Sequence, residues 1–220
     1  PVGSGNDWIK TAGVPKNVVE AVDAIVDGTT ARQDVVKATL LDESDLQKQL
    51  ASAYMVNIGG VGIDARVCRY VNVEKKKGKK GKILYVISLI RALRERVPVN
   101  MKVFCDGEKV FEGAYLSMAL GIGKYSGGGM RQTPDALMDD GLLDLTVIPD
   151  LPLKKILPAA PRLFTGSFLK VPELISTRGK VITVIPCNAG ASEPVEVDGE
   201  GVGIAPVRFE VLDAQLNIAV

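Results

Sequence analysis

Pro134-Asp135-Ala136-Leu137-Met138-Asp139-Asp140-Gly141-Leu142-Leu143-Asp144-Leu145 carries the reading of this chain, with Val197-Asp198-Gly199-Glu200 as its companion near the C-terminus. Each segment sets carboxylates on a glycine turn beside an apolar run of strand type. Glycine allows a sharp reversal there, so an acidic side chain and bare carbonyls converge on one point. Convergent oxygens suit a hard cation, and a carboxylate at a strand end suits a general base. An Asp-Gly pair between apolar runs is also the ordinary signal of a hairpin turn. Two further segments keep them company: GSGND from Gly3 to Asp7, and the glycine-rich LGIGKYSGGGM from Leu120 to Met130.

Composition narrows the chemistry. The 220 residues are 46% hydrophobic and 24% charged, which is ordinary for a globular chain with a substantial core. A formal net charge of +1 provides no global attraction to nucleic acid, so no nucleic-acid partner is expected. Cys68, Cys105 and Cys187 are scattered, without the paired spacing of a zinc site or a disulfide framework. The chain holds no histidine, which removes Ser-His-Asp and Cys-His catalysis and most transition-metal sites. Carboxylates, lysines, hydroxyls and hard cations remain. No signal peptide or membrane-spanning run is visible.

The expected fold class is mainly β with inserted helices. A helix follows Pro15, with Val18, Val19, Val22, Ile25 and Val26 on one side and Gly28 as its stop. Gln33 to Leu41 reads as a strand, and the pattern stays β-rich over Ala51 to Ile58 and Gly62 to Val71. Lys75 to Lys82 is a basic, glycine-containing loop, and Ile83 to Val97 has helical spacing ended by Pro98. Val99 to Phe104 and Lys109 to Ala119 form a hairpin across Cys105-Asp106-Gly107-Glu108. Leu143 to Ile148, Val181 to Pro186, Val195 to Val197 and Val207 to Val220 are further strands. A proline-broken helical stretch spans Leu153 to Phe168.

These segments, in this order, resemble the bacterial diacylglycerol and lipid kinase family. GSGND resembles the family's GTAND element, with Ser4 in place of the threonine, and Arg32-Gln33-Asp34-Val35 resembles its iDv strand. Asn57-Ile58-Gly59-Gly60-Val61-Gly62-Ile63-Asp64-Ala65 resembles its element ending in Asp-Ala. The GGGM loop, the Pro-Asp-Ala stretch, the Asp-Gly-Leu-Leu-Asp turn and the late Asp-Gly-Glu complete the set. The family's Gly-Gly-Asp-Gly-Thr nucleotide motif has no counterpart, because the chain begins at the later motif. The resemblance therefore implies a remnant of an α/β nucleotide-binding domain over residues 1–33, followed by a β-sandwich lipid-substrate domain over 34–220. The parent is expected to be an ATP- and Mg²⁺-dependent kinase of diacylglycerol or a related lipid, with this chain inactive alone.

Residue by residue, the resemblance places Glu200 as the general base that takes the proton of the lipid hydroxyl. Asp34 and Asp7 would join it in an acidic network, and Ser4 would touch ATP phosphate. Asp140 would bind Mg²⁺ through its carboxylate, with the backbone carbonyls of Leu137 and Leu142 beside it. Asn6-Asp7 before an apolar run also fits a helix N-cap. The GGGM loop lacks the lysine-serine ending of a P-loop and reads as close packing against a strand. Lys75, Lys76, Lys77, Lys79, Lys80 and Lys82 fit either a solvated loop or attraction to anionic headgroups. The last reading would put the protein in the cytoplasm, peripheral at the inner membrane surface, with its oligomeric state open. The alternatives are an NAD kinase-like enzyme, whose Gly-Ser-Thr-Ala-Tyr element has no match here, and a non-catalytic lipid- or membrane-binding module.

Overall fold

The computed structural model of the chain describes residues 6–78 and 82–220. Two short helices open it, α1 (Trp8–Ala12) and α2 (Val18–Asp27). Asn17 caps α2 by accepting the Val19 N–H, and Gly28 ends it in the left-handed conformation. Among the described residues nothing covers the apolar side of α2: Val18, Val19, Val22, Ile25 and Val26 are all more than half exposed.

Among the described residues eleven strands follow: β1 (Thr30–Leu41), β2 (Gln49–Met55), β3 (Ile58–Gly62), β4 (Val99–Cys105), β5 (Glu108–Gly121), β6 (Leu143–Pro149), β7 (Ile175–Gly179), β8 (Val181–Pro186), β9 (Pro194–Val197), β10 (Glu200–Ile204) and β11 (Val207–Ala219). β1 begins at Thr30, so the strand crosses the boundary expected between residues 33 and 34. The strands run in the order β10-β9-β3-β5-β4-β8-β11-β1-β2, with β6 paired to β5 and β7. The sheet curls until its ends nearly meet, with the residues just after β2 held by the β9–β10 turn. Inside it lies one core, built around Val36, Met55, Met101, Met118, Leu120, Leu145, Ile182 and Phe209. The fold is mostly β, as the sequence pattern predicted, and sandwich-like, as the resemblance implied.

Two Asp-Gly hairpins form, whereas Asp140-Gly141 is a loop turn with no strand before it and positive φ at the glycine alone. Asp106-Gly107 joins β4 to β5 and Asp198-Gly199 joins β9 to β10, each with positive φ at both residues, as a type I′ turn requires.

Gly62 to Val71 is not a strand. From Ile63 the chain is helix α3 (Ile63–Lys76), followed by α4 (Lys82–Arg94). The β-branched Ile63, Val67 and Val71 look strand-like one by one, yet they recur every fourth residue and so share a helix face. That face is buried against Leu84, Ala92 and Leu116 in a second apolar cluster. The basic segment is divided accordingly. Lys75 and Lys76 lie in the last turn of α3, where the helix dipole favours cations, and Lys77 caps it. Lys79 and Lys80 lie outside the described residues. A short helix α5 (Leu153–Ala159) and two 3-10 turns follow β6. None of the described helices is long and apolar enough to cross a membrane.

Candidate active site

Strand β3 runs between β5 and β9, and Gly60 stands opposite Glu196 in register. A side chain at Gly60 would meet Asp64 Cβ and Glu196 Oε1, each at 3.1 Å, so the bare glycine lets both residues close on one point. Asp64, in the first turn of α3, accepts hydrogen bonds from Ser117 Oγ (3.0 Å) and Gln132 Nε2 (2.8 Å). Glu196 is buried, and its Oε2 accepts the Gly199 N–H at 2.7 Å. Burial pushes the Glu196 carboxyl up to about 8, with the nearby charges of Asp64, Asp198 and Glu200 adding to the rise. Burial likewise raises Asp64 against the pull of its two donors. At neutral pH Glu196 is therefore mainly an acid, with a proton to share in a crowded set of carboxylates.

These groups line a polar cavity of about 310 Å³ together with Asp7, Trp8, Asn57, Cys68, Ser126 and Asp198. Asp198 is a brace at its edge. Its carboxylate accepts the backbone N–H groups of Val56 (2.7 Å), Asn57 (3.0 Å) and Ile58 (3.2 Å), which fastens the β9–β10 turn across the entry to β3.

On the other side of that turn is a larger cleft, about 470 Å³, between α3 and β10. Arg69, Asn72 and Lys76 from one face of α3 line it, with Val73 and Ile204 as apolar wall and Glu200 at its rim. Arg66, also in this cleft, is committed to Glu193 at 2.6 Å, and Glu193 further accepts the Tyr115 hydroxyl at 2.6 Å. Glu200 is exposed, and Asn72 Nδ2 lies 3.4 Å from its Oε2.

The residues singled out from sequence fall in three places. Asp7 lines the polar cavity, where it accepts the Gly128 N–H (2.6 Å) and pairs with Lys10 (2.5 Å). It occupies the N-cap position of α1 without capping it through its side chain. Glu200 stands at the second cleft, one residue from Gly199 in the first. Asp34 lines neither. It is buried in β1, where Oδ2 accepts the Gly141 N–H at 2.8 Å and its own N–H donates to Met138 at 2.7 Å. It holds the 137–142 turn to the sheet. Ser4 lies outside the described residues.

At that turn, Asp140 Oδ1 accepts the Leu142 N–H (3.1 Å) while Oδ2 is 2.6 Å from the Arg178 guanidinium. Arg178 stands opposite Asp144 in the β6–β7 register and bonds it too, at 3.1 Å. The hard oxygens of Asp140 and the Leu137 and Leu142 carbonyls suit Mg²⁺ chemically. A guanidinium already supplies the positive charge, and both Asp140 oxygens are engaged. Among the described residues no group of three or more ligating side chains could hold a metal. Mg²⁺ does not fit this turn unless Arg178 leaves.

Sequence reading missed Glu196, Asn72 and the role of Asp64. Asp64 lay inside a quoted segment. Glu196 signalled itself only as a charge between Val195 and Val197 in a strand buried on both faces.

The family described as YegS C-terminal NAD kinase beta sandwich-like domain matches residues 57–220. A protein of Staphylococcus carnosus named diacylglycerol kinase is 26% identical over 99% of the chain and 66% of its own length. One of the same name from Mycobacterium tuberculosis is 28% identical over 99% of the chain and 67% of its own length. A crystal structure from Bacillus anthracis, provisionally assigned as a diacylglycerol kinase, superposes with a TM-score of 0.73 at 26% identity. It covers all of this chain and 66% of its own. The chain thus spans about two thirds of the length of the curated relatives it matches.

Proposed function

The chain belongs to the YegS C-terminal domain family of NAD kinase-like β-sandwiches, and from that membership we propose that it is the acceptor-binding part of an ATP-dependent lipid kinase. The observation that carries the reading is the cleft between α3 and β10. It combines an apolar wall for acyl chain (Val73, Ile204), cations for phosphoryl oxygens (Arg69, Lys76) and an exposed carboxylate, Glu200, at its rim. In this reading Glu200 takes the hydroxyl proton as the acceptor oxygen attacks the terminal phosphorus of ATP, and ADP leaves. Phosphoryl transfer needs positioning and charge neutralisation more than covalent help, so one carboxylate and nearby cations suffice on the acceptor side.

Diacylglycerol is the acceptor we propose. Asp7 and Ser4 would face the nucleotide, which a nucleotide-binding domain must otherwise hold. The uncovered apolar side of α2 supports the assignment of residues 1–33 to the margin of such a domain, because an amphipathic helix of this kind normally buries that side. Asp34 acts here through the 137–142 turn, and no step runs through a metal at Asp140. Lys75, Lys76 and Lys77, exposed at the end of α3, are proposed to meet anionic headgroups at the cytoplasmic membrane surface.

The test is phosphate transfer from ATP by the complete polypeptide, with diacylglycerol vesicles and NAD as rival acceptors. We expect labelled lipid, a loss of about 10²–10⁴-fold in Glu200→Gln, and no turnover by residues 1–220 alone. Transfer to NAD instead, or an undiminished Glu200→Gln enzyme, would overturn the proposal.

A further inference from the structure

Glu200 sits on an exposed hairpin, followed by Gly201 and Gly203 in a five-residue strand. Nothing in that local sequence would aim a glutamate. The residue before it, however, is held through both of its backbone polar groups. Glu196 on β9 accepts the Gly199 N–H at 2.7 Å, and Asn72 on α3 donates Nδ2 to the Gly199 carbonyl at 3.0 Å. The same Nδ2 is 3.4 Å from Glu200 Oε2. A side-chain amide nitrogen carries two hydrogens, one for each of these oxygens, and both neighbours are acceptors, so the amide orientation is forced.

We propose that Asn72 is a positioning residue for Glu200: it ties the hairpin backbone and the carboxylate to α3 with one amide group. This rests on the reading of Glu200 as the base. Helical spacing supplies the means, since Arg69, Asn72 and Lys76 project from one face of α3 into the cleft. The two cations flank the neutral donor. Asparagine can therefore orient the carboxylate through a hydrogen bond without adding a third positive charge, which would lower its basicity. The cations Arg66, Arg69 and Lys76 line the cleft beside Glu200, and Glu196, mainly protonated at neutral pH, is the titratable group behind the turn.

The experiment has two arms. In the complete polypeptide, Asn72→Ala lowers kcat about 10- to 100-fold with the KM for ATP unchanged. In the Glu200→Gln background the same change causes no further loss, because no base is left to position. In the 220-residue chain, the Glu200 carboxyl is followed by ¹³C NMR and assigned with Glu200→Gln. There, Asn72→Asp exchanges the donor for a like charge, and the Glu200 carboxyl resonance moves because its hydrogen bond is lost. Thermal midpoints of both Asn72 variants close to that of the parent establish that the fold survives.

An Asn72→Ala enzyme with normal kcat overturns the inference, as does a loss that multiplies with that of Glu200→Gln. So does a Glu200 carboxyl resonance unmoved by Asn72→Asp. Failure of the kinase reading looks different: there Glu200→Gln itself keeps full activity, whatever the NMR spectrum shows.

Discussion

Raising the pH from 5 to 8.5 should destabilise this protein, and Glu196 should be the main reason. Its carboxyl is buried and raised from the ordinary 4.5 to about 8. The unfolded chain releases this proton above 4.5, whereas the folded chain keeps it until about 8. The protonated folded state is therefore fully stable below the unfolded value, and stability is lost as pH rises through the folded one. At about 1.4 kcal/mol per unit the ceiling is near 5 kcal/mol. The effective dielectric beside an open cavity reduces that, leaving an expected loss of about 2–4 kcal/mol. Asp64, raised by the same burial, pushes in the same direction. The background is quiet, because no histidine titrates in this window. Urea unfolding followed by the single tryptophan, Trp8, should show the midpoint fall by about 1–2 M. Glu196→Gln, which keeps an acceptor for the Gly199 N–H but has no charge to bury, should flatten most of the slope. A wild-type midpoint constant across the window, or one that falls in parallel with Glu196→Gln, would refute the burial argument.

Two other perturbations follow from the same geometry. Arg178→Ala should cost about 1–2 kcal/mol, discounted for the arginine's partial exposure, and millimolar Mg²⁺ should raise the thermal midpoint of that variant only; a parent protein destabilised by chelator would show that the arginine does not occupy the metal's place. Asp198→Ala removes the acceptor of three backbone N–H groups and should lower stability by about 1–3 kcal/mol in urea unfolding, with Asp198→Asn intermediate.

The Asp106-Gly107 and Asp198-Gly199 turns were legible because a type I′ hairpin is a local demand, with positive φ at two adjacent residues favouring Asp and Gly, whereas Asp140-Gly141 carries the same signal without a strand before it. The strands β4, β5, β8 and β11 were readable for a similar reason, as their inward and outward residues follow from neighbours two apart. The strand reading of Gly62 to Val71 failed where two periodicities overlapped. Ile63, Val67 and Val71 satisfy β propensity singly and helix spacing jointly, and packing against α4 and Leu116 decides between them.

By itself, then, the sequence determined a mostly β chain with inserted helices, its hairpins, and a carboxylate-bearing Asp-Gly-Glu turn exposed at one end. Each depends on residues close together in the chain. The tertiary structure alone decided what surrounds that turn. Asn72 reaches Gly199 across 127 positions, and Asp198 braces residues more than 140 positions away. It also tied Asp34 to the 137–142 turn and set Arg178 on Asp140, because strand register, not spacing along the chain, chooses which side chains face each other. Glu196 depends most on this: only where β3, β9 and α3 meet does an ordinary glutamate become a buried acid that holds its proton near neutrality.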